Sequence, residues 1–328
     1  RTDMADVPAV SVVIPLYNKG PYIARALNSV LAQTFQDFEV IVVDDGSTDD
    51  GAEVVRGFDD PRIQLIQQEN RGVSAARNRG IEAARAELVA FLDADDEWLP
   101  GFLRTIKRLR QKYPRFGAYV TSYHKCTTFG EVILPKFKEI PNAERDCVIP
   151  SYFRSMTLGS FPVNSSNVVV PKCVFDSVGR FPEGKWWGED SDQWGRIALK
   201  YSIAFSWDVQ VLIHCGNKRG KCKYKQVEVH PFVETATQRL NNNQVPEQIL
   251  SDLKEYMAKE NISTAVLTLE NGDHKEARRL LFQCKTKLLF KRKILYIALS
   301  FLPHRVYRIL RYDAYSHLRK KKIIDWGQ

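Results

Sequence analysis

Four short stretches limit what this chain can fold into: VSVVIPL (10–16), FEVIVVD (38–44), RIQLI (62–66) and ELVAFLD (87–93). The first is apolar and largely β-branched, as a strand buried on both faces of a parallel sheet must be. Between the stretches the apolar period changes. After Pro21, which suits a first helical turn, Ile23, Leu27, Val30, Leu31 and Thr34 recur at helical spacing. Further helices are expected near 50–56 and over about 73–85. Strands alternating with helices require right-handed crossovers, so the expectation is an α/β fold with a mixed, mainly parallel sheet flanked by helices.

In such a sheet the ligand crevice lies outside the carboxyl ends of the strands. Those ends carry Pro15 and Tyr17, then Asp44 and Asp45, then Asn70 and Arg71, then Asp93 and Asp95. One rim thus gathers several carboxylates. The crowding of Asp93, Asp95, Asp96 and Glu97 is electrostatically costly and calls for a compensating cation. Asp93 and Asp95 flank Ala94 at a strand end, so their side chains point to the same side. Paired hard carboxylates suit Mg²⁺ or Mn²⁺, which complete their shell with phosphate oxygens and water. A bare DxD is also frequent by chance, and its position on the rim is what raises its standing. For Asp96 and Glu97 the preferred reading is helix capping ahead of LPGFLRTIKRL. Asp44 to Ser47 can form a plain Asx turn, or place a carboxylate to accept hydrogen bonds from a base or ribose. Arg77 is expected on the inner helix face near Val73 and Ala76, with Arg71 and Arg79 solvated.

The middle of the chain, about 117–215, is less regular. From Asp190 onward Trp194, Ile197, Ala198 and Tyr201 repeat as a helix face, which puts Glu189 and Asp190 near a helix N-terminus, where capping alone would account for them. Beyond Gly216 come a lysine-rich stretch, a linker at Asn241–Asn243, a helix PEQILSDLKEYMAKE, a second helical period in STAVLTLENGDHKEARRLLFQC, and a basic tail. No glycine-rich dinucleotide or P-loop motif, HExxH or GxSxG is present. The six cysteines are scattered without a CxxC pair and read as reduced thiols; His214, Cys215, Cys222 and His230 fit no zinc spacing.

Three segments, SVVIPLYNKGPYIARALNSVLAQTFQDFEVIVVDDGSTDD, NRGVSAARNRGIEAARAELVAFLDADDEWLP and GRFPEGKWWGEDSDQWGRIAL, together resemble the inverting nucleotide-sugar glycosyltransferases of family 2, over about residues 8–215. The resemblance implies the GT-A fold, a Rossmann-like arrangement, here with a helical basic C-terminal extension. It divides the chain into a nucleotide-sugar half (4–115), an acceptor and catalytic-base half (116–215) and the extension (216–328). Asp45 matches the residue that holds the base, with Pro15 and Tyr17 lining the same pocket and Arg77 near base and diphosphate. Asp93 and Asp95 match the DxD motif, with Asp95 as the direct ligand of Mn²⁺ or Mg²⁺. Asp190 matches the catalytic base and Glu189 an acidic neighbour that could orient the acceptor. Ser165, Ser166 and Asn167 fall where acceptor-side residues often lie.

The implied reaction is metal-dependent transfer of one hexose, with inversion, from a nucleoside-diphosphate sugar to a hydroxyl of a glycan or lipid-linked glycan. Uridine is the base the family leads one to expect. DQWGR is not the QxxRW of the processive polysaccharide synthases, and no run approaches the roughly 18 apolar residues of a membrane span. No secretion signal is recognised, and Arg1–Asp3, ahead of Met4, read as an appended remnant. The expected location is cytoplasmic, peripheral at the cytosolic face of a bacterial membrane. That expectation rests on the tail: Lys275 to Lys322 holds fifteen Lys and Arg against two acidic residues, in a chain of net charge +9. Its KLLFKRKILYIALSFLPHRVYRILRY can lie in a membrane interface or pack as an ordinary helix with a basic face. Two other classes compete. A sugar-nucleotide pyrophosphorylase would need a glycine-rich nucleotide loop, which is missing. A nucleic-acid binder would work through the tail alone, and nucleic acid is not expected as a partner.

Overall fold

A computed structural model describes residues 7–215 and 227–310. The described residues form two compact units, the first comprising 7–135, 140–152 and 161–215, the second 136–139, 153–160 and 227–310. The lysine-rich stretch just past Gly216, Cys222 and the end of the basic tail lie outside the described residues.

In the first unit the expected alternation appears as β1 (Val10–Leu16), α1 (Gly20–Leu31), β2 (Phe38–Asp44), α2 (Gly51–Arg56), β3 (Ile63–Gln67), α3 (Val73–Ala83) and β4 (Leu88–Phe91). There follow β5 (Glu97–Trp98), α4 (Phe102–Lys112), β6 (Ala118–Thr127), β7 (Val132–Ile133) and β8 (Asp146–Val148). Past α5 (Tyr152–Leu158), most of which belongs to the second unit, come β9 (Val168–Pro171), α6 (Lys172–Val178), α7 (Glu189–Ala198) and β10 (Ile203–Cys215).

These strands make one mixed sheet in the order β3-β2-β1-β4-β9-β6-β10-β5, with β7 beside β6 and β8 beside β10. Its longest ladders, β1 with β2 and β6 with β10, are parallel, and β9 runs antiparallel between β4 and β6. Every residue of β2 is buried, as is all of β1 except Pro15. Helices on both faces exclude water from such a sheet, and that is why these strands read as continuous apolar runs. Gly80 sets how closely α3 approaches: a Cβ there would lie 2.2 Å from Val13 Cγ1.

The second unit is helical, with α8 (Pro231–Asn241), α9 (Glu247–Glu270), α10 (His274–Gln283) and α11 (Phe290–Ser300). α9 is a single helix of 24 residues where the sequence suggests two periodic segments. Gly272, at φ +91°, breaks the path, and Asp273 restarts it by accepting from the Glu276 N–H at 2.9 Å. Its core joins Ile262, Ala265 and Leu269 of α9 to Leu281, Tyr296 and Tyr307. Among the described residues no helix is long and apolar enough to cross a membrane.

Candidate active site

The rim expected from the strand ends is present. At the end of β2 the Asp44 carboxylate accepts from the Ser47 N–H at 3.0 Å and from Gln67 Nε2 at 2.9 Å. Burial opposes its charge, but these hydrogen bonds hold its pKa below the ordinary carboxylate range. Asp45, equally buried, accepts from Gln68 Nε2 at 2.7 Å and from the backbone N–H groups of Arg71 (2.9 Å) and Gly72 (2.7 Å). Its carboxylate therefore fixes the loop that leads into α3. Pro15 is half-buried at the end of β1, and Tyr17 stands exposed just beyond it.

Arg77 joins motifs that lie far apart in sequence. Only 4% exposed on α3, it donates to Asp93 Oδ1 at 2.9 Å and to Glu189 Oε1 at 3.1 Å, with its guanidinium 5.3 Å from the Phe181 ring centre. Burial disfavours its charge, yet Asp93, Glu189 and Asp190 outweigh that penalty and raise its pKa. The cation demanded by the acidic crowding is thus built in on one side. On the other, the Lys19 ammonium pairs with Asp95 Oδ2, and Arg25 donates to the Asp95 carbonyl. These cations and Asp95 line a cleft of about 230 Å³ together with Tyr22, Cys126 and His214.

Glu189 and Asp190 open α7. Gly188, at φ +70°, makes the tight left-handed entry that a side chain would resist. The Asp190 carboxylate accepts from the Ser191 N–H at 2.6 Å. Desolvation, with Glu189 adding to it, pushes its pKa up to about 6 against the pull of Arg77. A carboxyl poised near neutrality can both hold and release a proton at working pH.

One expectation is corrected. Asp96 and Glu97 do not cap α4, whose N-terminus at Gly101 has no side-chain cap. Asp96 is buried, receiving Ser166 Oγ at 2.5 Å and the His214 N–H at 2.9 Å, and burial, with Asp93 nearby, raises its pKa to about 8. Glu97 sits in β5, 3.0 Å from His214 Nε2. Ser165, Ser166 and Asn167 are buried too, and at least the latter two work as struts: Asn167 Nδ2 donates to the carbonyls of Thr121 (2.7 Å) and Pro162 (2.9 Å), and Ser166 Oγ receives the Asp93 N–H at 3.2 Å. These bonds tie the start of β9 to the acidic turn and to β6.

Lys19, Arg25 and His214 are the residues that sequence reasoning missed. Lys19 sits in YNKG, immediately after the first strand end, a position on the expected rim that could have flagged it. His214, at the far end of a strand that was not expected, carried no such signal. Among the described residues no group of three or more His, Cys, Asp or Glu side chains is arranged to hold a metal by itself, and Cys222 lies outside them. His230 instead accepts the Phe232 N–H at the start of α8. The DxD pair still suits a hard dication in chemistry. Asp93 and Asp95 are partly exposed, each spends one oxygen on a protein cation, and a diphosphate would supply the further oxygen ligands that Mg²⁺ or Mn²⁺ takes.

Residues 11–166 match the family described as Glycosyl transferase family 2. This region is a family 2 glycosyltransferase domain. The chain is 47% identical over 105 residues to an uncharacterised glycosyltransferase of Nostoc, a match that covers 31% of this chain and 33% of that protein. It is 33% identical over 198 residues to an uncharacterised glycosyltransferase of Rickettsia conorii, covering 59% of this chain and 31% of that one. It therefore spans about a third of the length of these curated relatives. Among solved structures, S. aureus TarS in complex with UDP-GlcNAc superposes with a TM-score of 0.56 at 18% identity, covering 91% of both chains. The mannosyltransferase PcManGT from Pyrobaculum calidifontis, in complex with GDP-Man and Mn²⁺, gives 0.58 at 18% identity, covering 93% of this chain and 84% of that one. The fold of the family 2 domain is GT-A.

Proposed function

We propose that the chain is an inverting, metal-dependent glycosyltransferase that moves one hexose from a nucleoside-diphosphate sugar, with UDP-sugar the first choice, to a hydroxyl of a glycan or lipid-linked glycan. The observation that carries this reading is the Arg77 bridge. It holds the strand-end carboxylate Asp93 and the helix-start carboxylate Glu189 on one guanidinium, next to Asp190, so that a leaving-group subsite and a base occupy one site.

In this reading Asp45 shapes the pocket wall for the base by fixing the 68–72 loop, with Pro15 and Tyr17 opposite. Asp95 and Asp93 would hold Mn²⁺ or Mg²⁺, which would supply charge neutralisation for the diphosphate. Arg77 stays protonated and orients Asp93 and Glu189. Asp190 takes the proton from the acceptor hydroxyl as that oxygen attacks the anomeric carbon on the face opposite the leaving group, and the configuration inverts. The neighbouring Glu189 adds to the basicity of Asp190. In this reading the chain works at the cytosolic face of a membrane.

Asp190→Asn should lower transfer by at least about a hundredfold, the low end of what a positioned base contributes, while nucleotide affinity changes by less than about twofold. In the wild type, kcat/KM should fall about tenfold per pH unit below about pH 6, because Asp190 must be unprotonated to act. A variant that keeps a tenth of the wild-type rate, or a flat profile through pH 6, would remove Asp190 from the role of base.

A further inference from the structure

α11 is apolar on two faces. Toward its own unit it contributes Tyr296, with Leu289, Ile297 and Leu299 packed around the same core. On the other side Phe290 (57% exposed), Ile294, Leu295 (51%) and Phe301 (65%) stand in water. Their spacing, together with that of Ala298, sweeps one arc of about 140° at 3.6 residues per turn. A surface helix ordinarily presents polar residues there. The next helical segment, 304–310, continues the pattern: Tyr307 is buried while Ile309 (60%) and Leu310 (46%) are exposed.

Charge accompanies this apolar strip. Residues 285–310 contain seven Lys and Arg and no Asp or Glu, and Lys285, Lys287, Lys291, Arg305 and Arg308 are exposed. Charge complementarity selects the occupant. A second copy of the same face would set like charges against each other, and a nucleic acid would take the cations but leave Phe290, Leu295 and Phe301 in water. An anionic lipid surface meets both demands, because its headgroups attract Lys and Arg while its acyl boundary accepts apolar side chains. We propose that the outward face of α11 and of segment 304–310 docks on an anionic bilayer, with its apolar side chains entering the headgroup boundary and its cations on the phosphates. The inference stands apart from the assignment of the active site, and its test requires no turnover.

The test is sedimentation of the full chain with two sets of vesicles, phosphatidylcholine alone and phosphatidylcholine with one third phosphatidylglycerol. Binding should be at least about tenfold tighter to the anionic set and should weaken as salt shortens the screening length. The double variant Ile294→Asp, Leu295→Asp, at exposed positions, should cut that binding at least about tenfold with melting unchanged. If the paired aspartates lower the melting temperature, Phe301→Ser carries the same comparison. Failure to bind anionic vesicles would overturn the proposal. So would binding that responds to salt but ignores these variants, which would describe a nonspecific polyanion site. A dimer in sedimentation velocity that the variants dissociate, with no vesicle binding, would assign the face to a second copy instead.

Discussion

Arg77 in the sheet unit and Lys259 in the helical unit are both buried cations, 4% and 6% exposed, and they are accommodated in different ways. Arg77 is met by Asp93 and Glu189, so its charge is kept and strengthened. Lys259 donates to the Met156 carbonyl at 2.5 Å, and burial pulls its pKa down from the ordinary 10.5 to about 8, although Glu260 resists. A guanidinium cannot discharge at working pH and presents a fork of donors, so it can clamp two carboxylates from distant segments permanently. An ammonium can discharge, and serves where a helix interior needs a donor more than a charge. The first unit uses its buried cation to draw carboxylates from distant segments together, and the second uses its own to hold helices.

The largest effect should come from breaking the clamp. Arg77→Ala leaves two carboxylates without their shared cation and should cost about 3–5 kcal/mol in urea unfolding, the usual consequence of removing one partner of a buried pair. Arg77→Lys should recover only part of this, because an ammonium lacks the fork; full recovery would mean that the charge alone matters. Next is Lys259→Met. Burial penalises the charged form of Lys259, so folding gains stability as pH rises from about 8 toward 10.5 and the folded state sheds its proton first. The difference in stability between the variant and wild type should therefore shift in favour of wild type over that window, by up to about 3 kcal/mol at about 1.4 kcal/mol per unit. A constant difference between pH 7 and 10 would show that Lys259 does not titrate there. The smallest effect, roughly 1–3 kcal/mol, is expected for Gly80→Ala, whose added methyl meets Val13 and must push α3, and Arg77 with it, off β1. Melting of this variant with and without nucleotide separates loss of fold from displacement of Arg77.

The same contrast explains what could be read in advance. β1 to β4 and the helices between them are legible because strands covered on both faces need unbroken apolar runs, and DxD stands out at the end of β4. β10 is not legible: IAFSWDVQVLIHC mixes polar residues into a 13-residue strand, and its ladder with β6 shifts register between Ser206 and Val209 and again between Val209 and Val211. With β10 unseen, His214 could not be set beside Glu97, nor its N–H on Asp96. Asp96 misleads because an acidic residue before a helix usually caps it, and only the tertiary fold brings Ser166 and His214 to it. The burial of Ser165 to Asn167 is likewise not legible, since small polar residues show no strand-side burial until β9 is inserted between β4 and β6. Arg77 could be placed on the inner face of its helix, whereas its bond to Glu189, 112 residues away, required the fold.

The central claim is that Asp93, clamped by Arg77 beside Asp190, and Asp95, paired with Lys19, form one metal-dependent donor site. Its most direct test is calorimetric titration of UDP and GDP into wild type, Asp95→Ala and Asp190→Asn, each with and without Mn²⁺. The account predicts that Mn²⁺ tightens nucleotide binding at least about tenfold in wild type and in Asp190→Asn, and that Asp95→Ala loses this gain, the loss of about 1.4 kcal/mol or more of metal-mediated binding. Nucleotide binding that is indifferent to Mn²⁺, or equal in Asp95→Ala and wild type, would contradict it.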